Sequence, residues 1–222
     1  MNLPPVAITV DNLCFRFDRE PILSDISLRI NQGERWAIVG RNGAGKSTLI
    51  RCLGGLEKTH RNTIHICGKD IRLYYPRDLA HRVSYVPQMR SVDVPFSVFD
   101  YVMMGRFPYQ GFMALPTRED HRRVEEALVL TDCQDLSNRR MDTLSGGESQ
   151  RVRIASAVAQ RADIMLLDEP TTFLDPAHQE MVLTSLSRIH SELKTTMVTV
   201  THDVNSALMF DDHILALVNG RT

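Results

Sequence analysis

The pattern of a glycine, four variable positions, a second glycine, then lysine and serine leaves few folds open to a chain when it falls between an apolar run and a helix start. Gly40, Arg41, Asn42, Gly43, Ala44, Gly45, Lys46 and Ser47 fill that pattern. Residues 36–39 form the apolar run, and residues 48–53, opening on Thr48, have helical character. Glycines let backbone N–H groups curl around an anion without Cβ interference, and the helix end adds partial positive charge. Lys46 is expected at the β- and γ-phosphates of a nucleotide and Ser47 on Mg2+. A glycine turn without a ligand is the bland alternative.

Around this loop the hydrophobic pattern changes three times. Residues 7–10, 14–17 and 26–30 read as short extended runs between turn signals, which predicts a small antiparallel sheet. From about 95 to 159 the spacing turns helical, with Val124, Ala127, Leu128 and Leu130 on one stripe, so a helical subdomain is expected there. The remainder alternates: strand 164–167, helix 176–190, strand 195–201, helix 204–209, strand 214–218. That alternation predicts an α/β fold, a mixed and mostly parallel sheet with helices on both faces. The expected division of one domain is 1–94, 95–160 and 161–222.

The chain has 222 residues, 43% apolar and 24% charged, which is enough to bury a core and argues against disorder. Its formal net charge of -1 supplies no field for a phosphate backbone, so nucleic acid is not expected as a partner. The apolar runs are far shorter than the roughly 20 residues that span a bilayer, and no basic stretch followed by an apolar core opens the chain. A protein neither secreted nor membrane-spanning is expected. Cys14, Cys52, Cys67 and Cys133 are scattered, as free thiols in a reducing cytosol would be, and no structural metal is expected.

Two further motifs carry chemistry. Residues 164–167 end in Asp168 and Glu169, delivering carboxylates to the edge of a buried sheet beside the phosphates. Asp168 is expected to hold Mg2+ through water and Glu169 to polarise the attacking water; two acids capping a helix are the alternative. Ser145, Gly146, Gly147 and Glu148 open a long helix whose free N–H groups form a second anion site.

Taken in order, these motifs resemble the ATP-binding-cassette ATPases over essentially the whole chain. The phosphate loop matches 40–47, the glutamine loop Gln88 in Tyr85-Val-Pro-Gln88, and the signature loop 144–148. The acidic strand matches 164–169, the D-loop Leu174 and Asp175, and the switch histidine His202. The resemblance implies a P-loop NTPase core with an N-terminal antiparallel β-subdomain and an inserted helical subdomain, binding ATP and Mg2+. It implies that Phe17 stacks on adenine, with a core position as the alternative. It also implies that Gln88 completes the Mg2+ and water coordination, or is a plain loop glutamine. His202 senses the γ-phosphate, or is structural. Glu148 stands where glutamine is common and Phe17 where tyrosine is usual.

The signature loop of such a protein faces the nucleotide of a second copy, so the resemblance implies a homodimer closed around two ATPs. It further implies integral-membrane permease subunits as partners, a substrate-binding protein acting indirectly, and a peripheral place on the cytoplasmic face of the cell (inner) membrane. Within the family, residues 98–106, 144–148 and 171–179 look most like importers of iron-siderophore, haem or cobalamin, with zinc and manganese importers close behind. Phe96, Phe99, Tyr101 and Met103 are expected either in the groove for a permease coupling helix or in plain subdomain core. Such chains continue past the position of residue 222 through another strand and a helix, so a shortened or naturally short form is expected. A non-transport ATP-dependent clamp would carry long coiled-coil insertions, and no sustained heptads appear. A module that binds without hydrolysing would not need both Glu169 and His202.

Overall fold

The two long opening strands form because β-branched and large apolar residues alternate with polar ones, so one face can be buried while the other meets water. In the computed structural model, which describes residues 5–18, 20–88, 94–111 and 114–222, β1 spans Val6–Phe17 and pairs antiparallel with β2, Glu20–Asn31. The runs expected at 7–10 and 14–17 are therefore one strand. Asn12, at φ 48°, and Asp25, at φ 57°, absorb the register shift between them, and Asn12 Nδ2 donates to Asp25 Oδ1 over 2.6 Å. Asn and Asp tolerate this left-handed geometry, so the ladder bends and resumes instead of ending.

Short strands complete this sheet on the other side of β1. They follow β3 (Arg35–Val39) and helix α1 (Lys46–Leu53) in the chain, as β4 (Ile64–Ile66) and β5 (Lys69–Asp70), giving the order β2-β1-β4-β5. Helix α2, Pro76–Ala80, leads into β6, Val83–Val86. The sequence reading found none of β4, β5, α2 and β6, all too short for a periodicity to emerge.

Helices α3 (Val98–Met103), α4 (Arg118–Leu130) and α5 (Gly146–Ala159) follow. The stripe Val124, Ala127, Leu128 and Leu130 is buried as expected. Arg106, itself buried, pairs with Asp120 of α4 at 2.9 Å and donates to the Ala159 carbonyl at 2.8 Å, tying these segments together. Phe99 and Tyr101 pack on this core and Met103 is buried in it, while Phe96 is 43% exposed. For Phe99, Tyr101 and Met103 the subdomain-core reading is thus the one that applies.

The chain closes with β7 (Ile164–Asp168), α6 (Pro176–Leu193), β8 (Thr196–Thr201), α7 (Val204–Phe210) and β9 (His213–Ala216). Strands β6-β7-β8-β3-β9 form one wholly parallel sheet, so parallel and antiparallel pairing are segregated into two sheets. This sheet divides the interior in two. Ile164, Leu166, Val198 and Val200 face a core shared with α1 and the antiparallel sheet, whereas Met165, Leu167 and Met197 face the core of α3 to α6. Strand periodicity of two sends neighbours to opposite faces, and burial on both makes β7 and β8 continuously apolar.

Candidate functional site

Strand β3 ends at Val39 and the chain turns at once at Gly40, where a Cβ would stand 2.3 Å from the Leu217 carbonyl oxygen. At Gly43, with φ 80°, a Cβ would meet nothing within 4 Å; the backbone angle alone selects glycine there. Gly45 caps α1 at φ 99° without any side-chain hydrogen bond, and no acidic residue lies in the first turn. The first N–H groups of α1 are therefore left without side-chain partners, as an anion site requires. Lys46 Nζ donates to the carbonyls of Gly40 (2.8 Å) and Arg41 (3.2 Å) and lies 3.9 Å from Glu169 Oε1. Arg41 and Asn42 are exposed at the loop's tip, and Thr48 lies within α1, half-buried.

The terminal turn supports this loop from below. Gly220 N donates to the Ala44 carbonyl over 3.1 Å, and Ser24 N donates to the Gly220 carbonyl over 2.8 Å. The loop is thereby hydrogen-bonded through the turn to β2. Sequence reasoning missed this role, and the Asn219-Gly220 turn signal was its only trace.

The acidic pair splits between two partner sets. Ser47 Oγ donates to Asp168 Oδ1 at 3.0 Å and Tyr85 Oη to Asp168 Oδ2 at 3.3 Å. Burial pushes the Asp168 carboxyl above the ordinary carboxylate value, against the pull of those two hydrogen bonds. Glu169 takes φ 50° while its N–H donates to the Val200 carbonyl at 2.9 Å, so its side chain leaves on the other side. There it accepts from Gln88 Nε2 (3.0 Å) and Thr172 Oγ1 (2.9 Å), with His202 Nδ1 at 3.8 Å. Lys46, Ser47, Gln88, Asp168, Glu169 and His202 thus form one cluster at the carboxyl ends of the parallel strands. Tyr85 and Thr172 belong to it as well; both sat inside quoted motifs, but nothing in the spacing singled them out.

The remaining expected residues make their hydrogen bonds outside that cluster. Ser145 caps α5, accepting from Glu148 N at 3.3 Å, while Glu148 Oε2 accepts from Ser145 N at 2.7 Å. Arg139 also pairs with Glu148 at 3.0 Å, so a carboxylate in place of the usual glutamine is held on both sides. Those contacts, led by the Ser145 backbone N–H, hold the Glu148 carboxyl below its ordinary value. Gly146 and Gly147 begin the helix, and Asp175 caps α6. Among the described residues none of Ser145, Gly146, Gly147, Glu148 and Asp175 hydrogen-bonds the glycine loop or the acidic pair. Phe17 is 68% exposed beside the β1–β2 turn, which excludes the core reading for it.

A glycine loop opening a helix, a lysine, and two carboxylates at the edge of a parallel sheet define a phosphate-loop nucleoside triphosphatase. The sequence model of the ABC transporter family matches residues 23–172. The chain belongs to this family, as an ATP-binding subunit that hydrolyses ATP. It is 38% identical over 212 residues to the manganese transport system ATP-binding protein MntB of Bacillus subtilis (strain 168), covering 95% of this chain and 82% of that one. The iron(3+)-hydroxamate import ATP-binding protein FhuC of the same organism is 34% identical over 214 residues, 96% of this chain and 80% of that protein. Among solved structures, an ATP-binding cassette seen as a dimer in a post-hydrolysis state with ADP and Pi superposes with a TM-score of 0.82 at 28% identity, covering 97% of this chain and 96% of that one.

Proposed function

We propose that this subunit closes with a second copy around two ATP molecules and drives a membrane permease that imports an iron-siderophore, haem or related metal complex. The observation that carries the reading is the incompleteness of the cluster. Hydrolytic side chains gather around one nucleotide position, while among the described residues the Ser145 and Asp175 caps make no hydrogen bond to them. Two copies related by a two-fold axis would bring each missing half to the other's phosphates. The ADP-bound cassette dimer supports this arrangement by likeness.

In this reading Lys46 exchanges its two loop carbonyls for phosphate oxygens, and Gly40, Arg41, Asn42, Gly43, Ala44, Gly45 and Thr48 complete the cradle. Phe17 stacks on adenine from its exposed position. Ser47 and Asp168 set two hard oxygens side by side, and Asp168 is a buried carboxylate whose charged form a cation would favour. This donor set fits Mg2+, with Gln88 as a further oxygen ligand. When bound, Mg2+ neutralises charge on the phosphate oxygens. Glu169, oriented by Gln88 and Thr172, accepts hydrogen bonds from the attacking water, and His202 contacts the γ-phosphate. Ser145, Gly146, Gly147, Glu148 and Asp175 serve the second copy's nucleotide.

The permease would dock beside residues 95–160, which act as a subdomain between the core segments 1–94 and 161–222. A cavity of about 640 Å³ lined by Leu56, Tyr74, Pro76, Leu79 and Val83, with Glu57, Lys58 and Arg72 also in its wall and Tyr75 exposed next to it, supports docking of an amphipathic helix. Such docking makes the subunit peripheral to the membrane; among the described residues no helix is long and apolar enough to cross one. The cargo class follows relatives named for manganese and iron-hydroxamate transport.

Glu169→Gln tests the reading. The variant is expected to bind MgATP, hydrolyse it about a thousandfold more slowly, and run as a dimer in light scattering. Monomers at saturating MgATP would refute it.

A further inference from the structure

Gly147 has no room for a side chain, and the space is filled by His178. A Cβ on Gly147 would lie 2.1 Å from His178 Cδ2, 2.5 Å from its Cγ and 2.9 Å from its Cβ. The imidazole therefore rests against the first turn of α5, two residues beyond the Ser145 cap. Its Nδ1 lies 2.6 Å from Asp175 Oδ2, and the His178 N–H donates to Asp175 Oδ1 at 3.1 Å. The next residue adds a clasp of its own, Gln179 Nε2 to the Leu174 carbonyl at 2.9 Å. One turn further along, Arg151 of α5 reaches Met181 Sδ of α6 at 3.6 Å.

Each of the two helix starts has its own local cap, Ser145 for α5 and Asp175 for α6, and among the described residues no hydrogen bond joins the two caps. The His178 ring meets both helix starts, lying against Gly147 of α5 and beside Asp175 of α6. It also stands outside the hydrolytic cluster, with no hydrogen bond or ion pair to Lys46, Ser47, Asp168 or Glu169 among the described residues.

We infer that His178 is a positioning residue that clamps Asp175 to the first turn of α5, so that residues 145–148 and Asp175 meet a second copy's nucleotide as one rigid piece. The inference rests on the ATP-bridged dimer proposed above. Two groups that approach one ligand from a fixed relative position lose less freedom on binding than two that move independently, so the clamp strengthens closure. It also supplies the reason for glycine at 147: a side chain there would displace the ring and separate the two loops.

The test uses the full chain with Glu169→Gln as parent and three substitutions added to it. His178→Ala removes both contacts, His178→Phe keeps a ring against Gly147 without Nδ1, and His178→Asn keeps a donor toward Asp175 without the ring. Hydrogen exchange in the nucleotide-free protein reads the clamp directly, at the Glu148 and Ser149 amides, which bond to Ser145. Exchange there is expected to quicken in His178→Ala. The dissociation constant of the MgATP dimer is expected to rise about tenfold in His178→Ala and by less in the other two, a coupling of ordinary size for contacting elements. MgADP affinity of the single protomer is expected to stay at the parent value, a split that simple destabilisation of the fold would not give. Equal dimer affinity in parent and His178→Ala, or unchanged exchange at Glu148 and Ser149, overturns the inference. A parent that never dimerises removes the ATP-bridged reading and this inference with it, while the exchange data still report whether the clamp exists.

Discussion

Ser47 Oγ donates to Asp168 Oδ1 over 3.0 Å, joining the first turn of α1 to the last residue of β7 across 121 positions of sequence. This bond brings the two oxygens proposed for Mg2+ together before any nucleotide arrives. Asp168→Asn keeps an acceptor for Ser47 and removes the charge. ATP hydrolysis is expected to fall about 10²- to 10³-fold, with more Mg2+ needed for half-maximal rate, as phosphate release across a Mg2+ titration would register.

Gly220 is the keystone of the turn beneath the loop. At φ 73° a side chain is strained, and a Cβ would stand 2.2 Å from the Ile22 carbonyl oxygen. Gly220→Ala is expected to cost about 1–3 kcal/mol of stability. Because Ala44 would lose its backbone partner, nucleotide affinity should weaken too; thermal melts with and without ADP would separate the two effects.

The Arg106–Asp120 pair is about 5% exposed on both sides, and removing one member leaves a buried charge. Arg106→Ala is expected to destabilise the chain by about 3–5 kcal/mol, which a urea titration would detect. Replacing both by leucine and asparagine should cost less, since no uncompensated charge remains.

Burial pushes the Asp211 carboxyl from 3.8 up to about 6. The folded chain therefore holds this proton more tightly than the unfolded one, and the contribution to stability is full below pH 3.8 and lost as pH rises through about 6. The difference in melting temperature between Asp211→Asn and the unaltered protein should shift in the variant's favour across that window, then level off.

Much of this site was legible before the fold. The glycines of the loop, the acidic pair after an apolar run, and the Ser-Gly-Gly helix start are local arrangements, and local backbone angles and helix ends decide them within a few residues. The stripe on α4 was readable because thirteen helical residues are long enough for a period to show. Strands β4, β5 and β6 are too short for a period and carry no unbroken apolar run of the kind that marked β9, so they went unseen, and with β6 the role of Tyr85. The turn at Asn12 misled in the opposite sense, splitting one strand into two because a bulge and a strand end use the same residues.

By itself, then, the sequence determined the phosphate loop, the family of motifs and the order of the longer elements, since each depends on neighbours along the chain. Which carboxylate faces Ser47 and which faces Gln88, that Tyr85 and Thr172 hold them, and that His178 occupies the space at Gly147 were decided only by tertiary structure. Most of those contacts join segments tens of residues apart, and even neighbours such as Glu169 and Thr172 are aimed by a backbone turn that packing fixes. Sheet register and helix docking set such distances, and no local pattern encodes them.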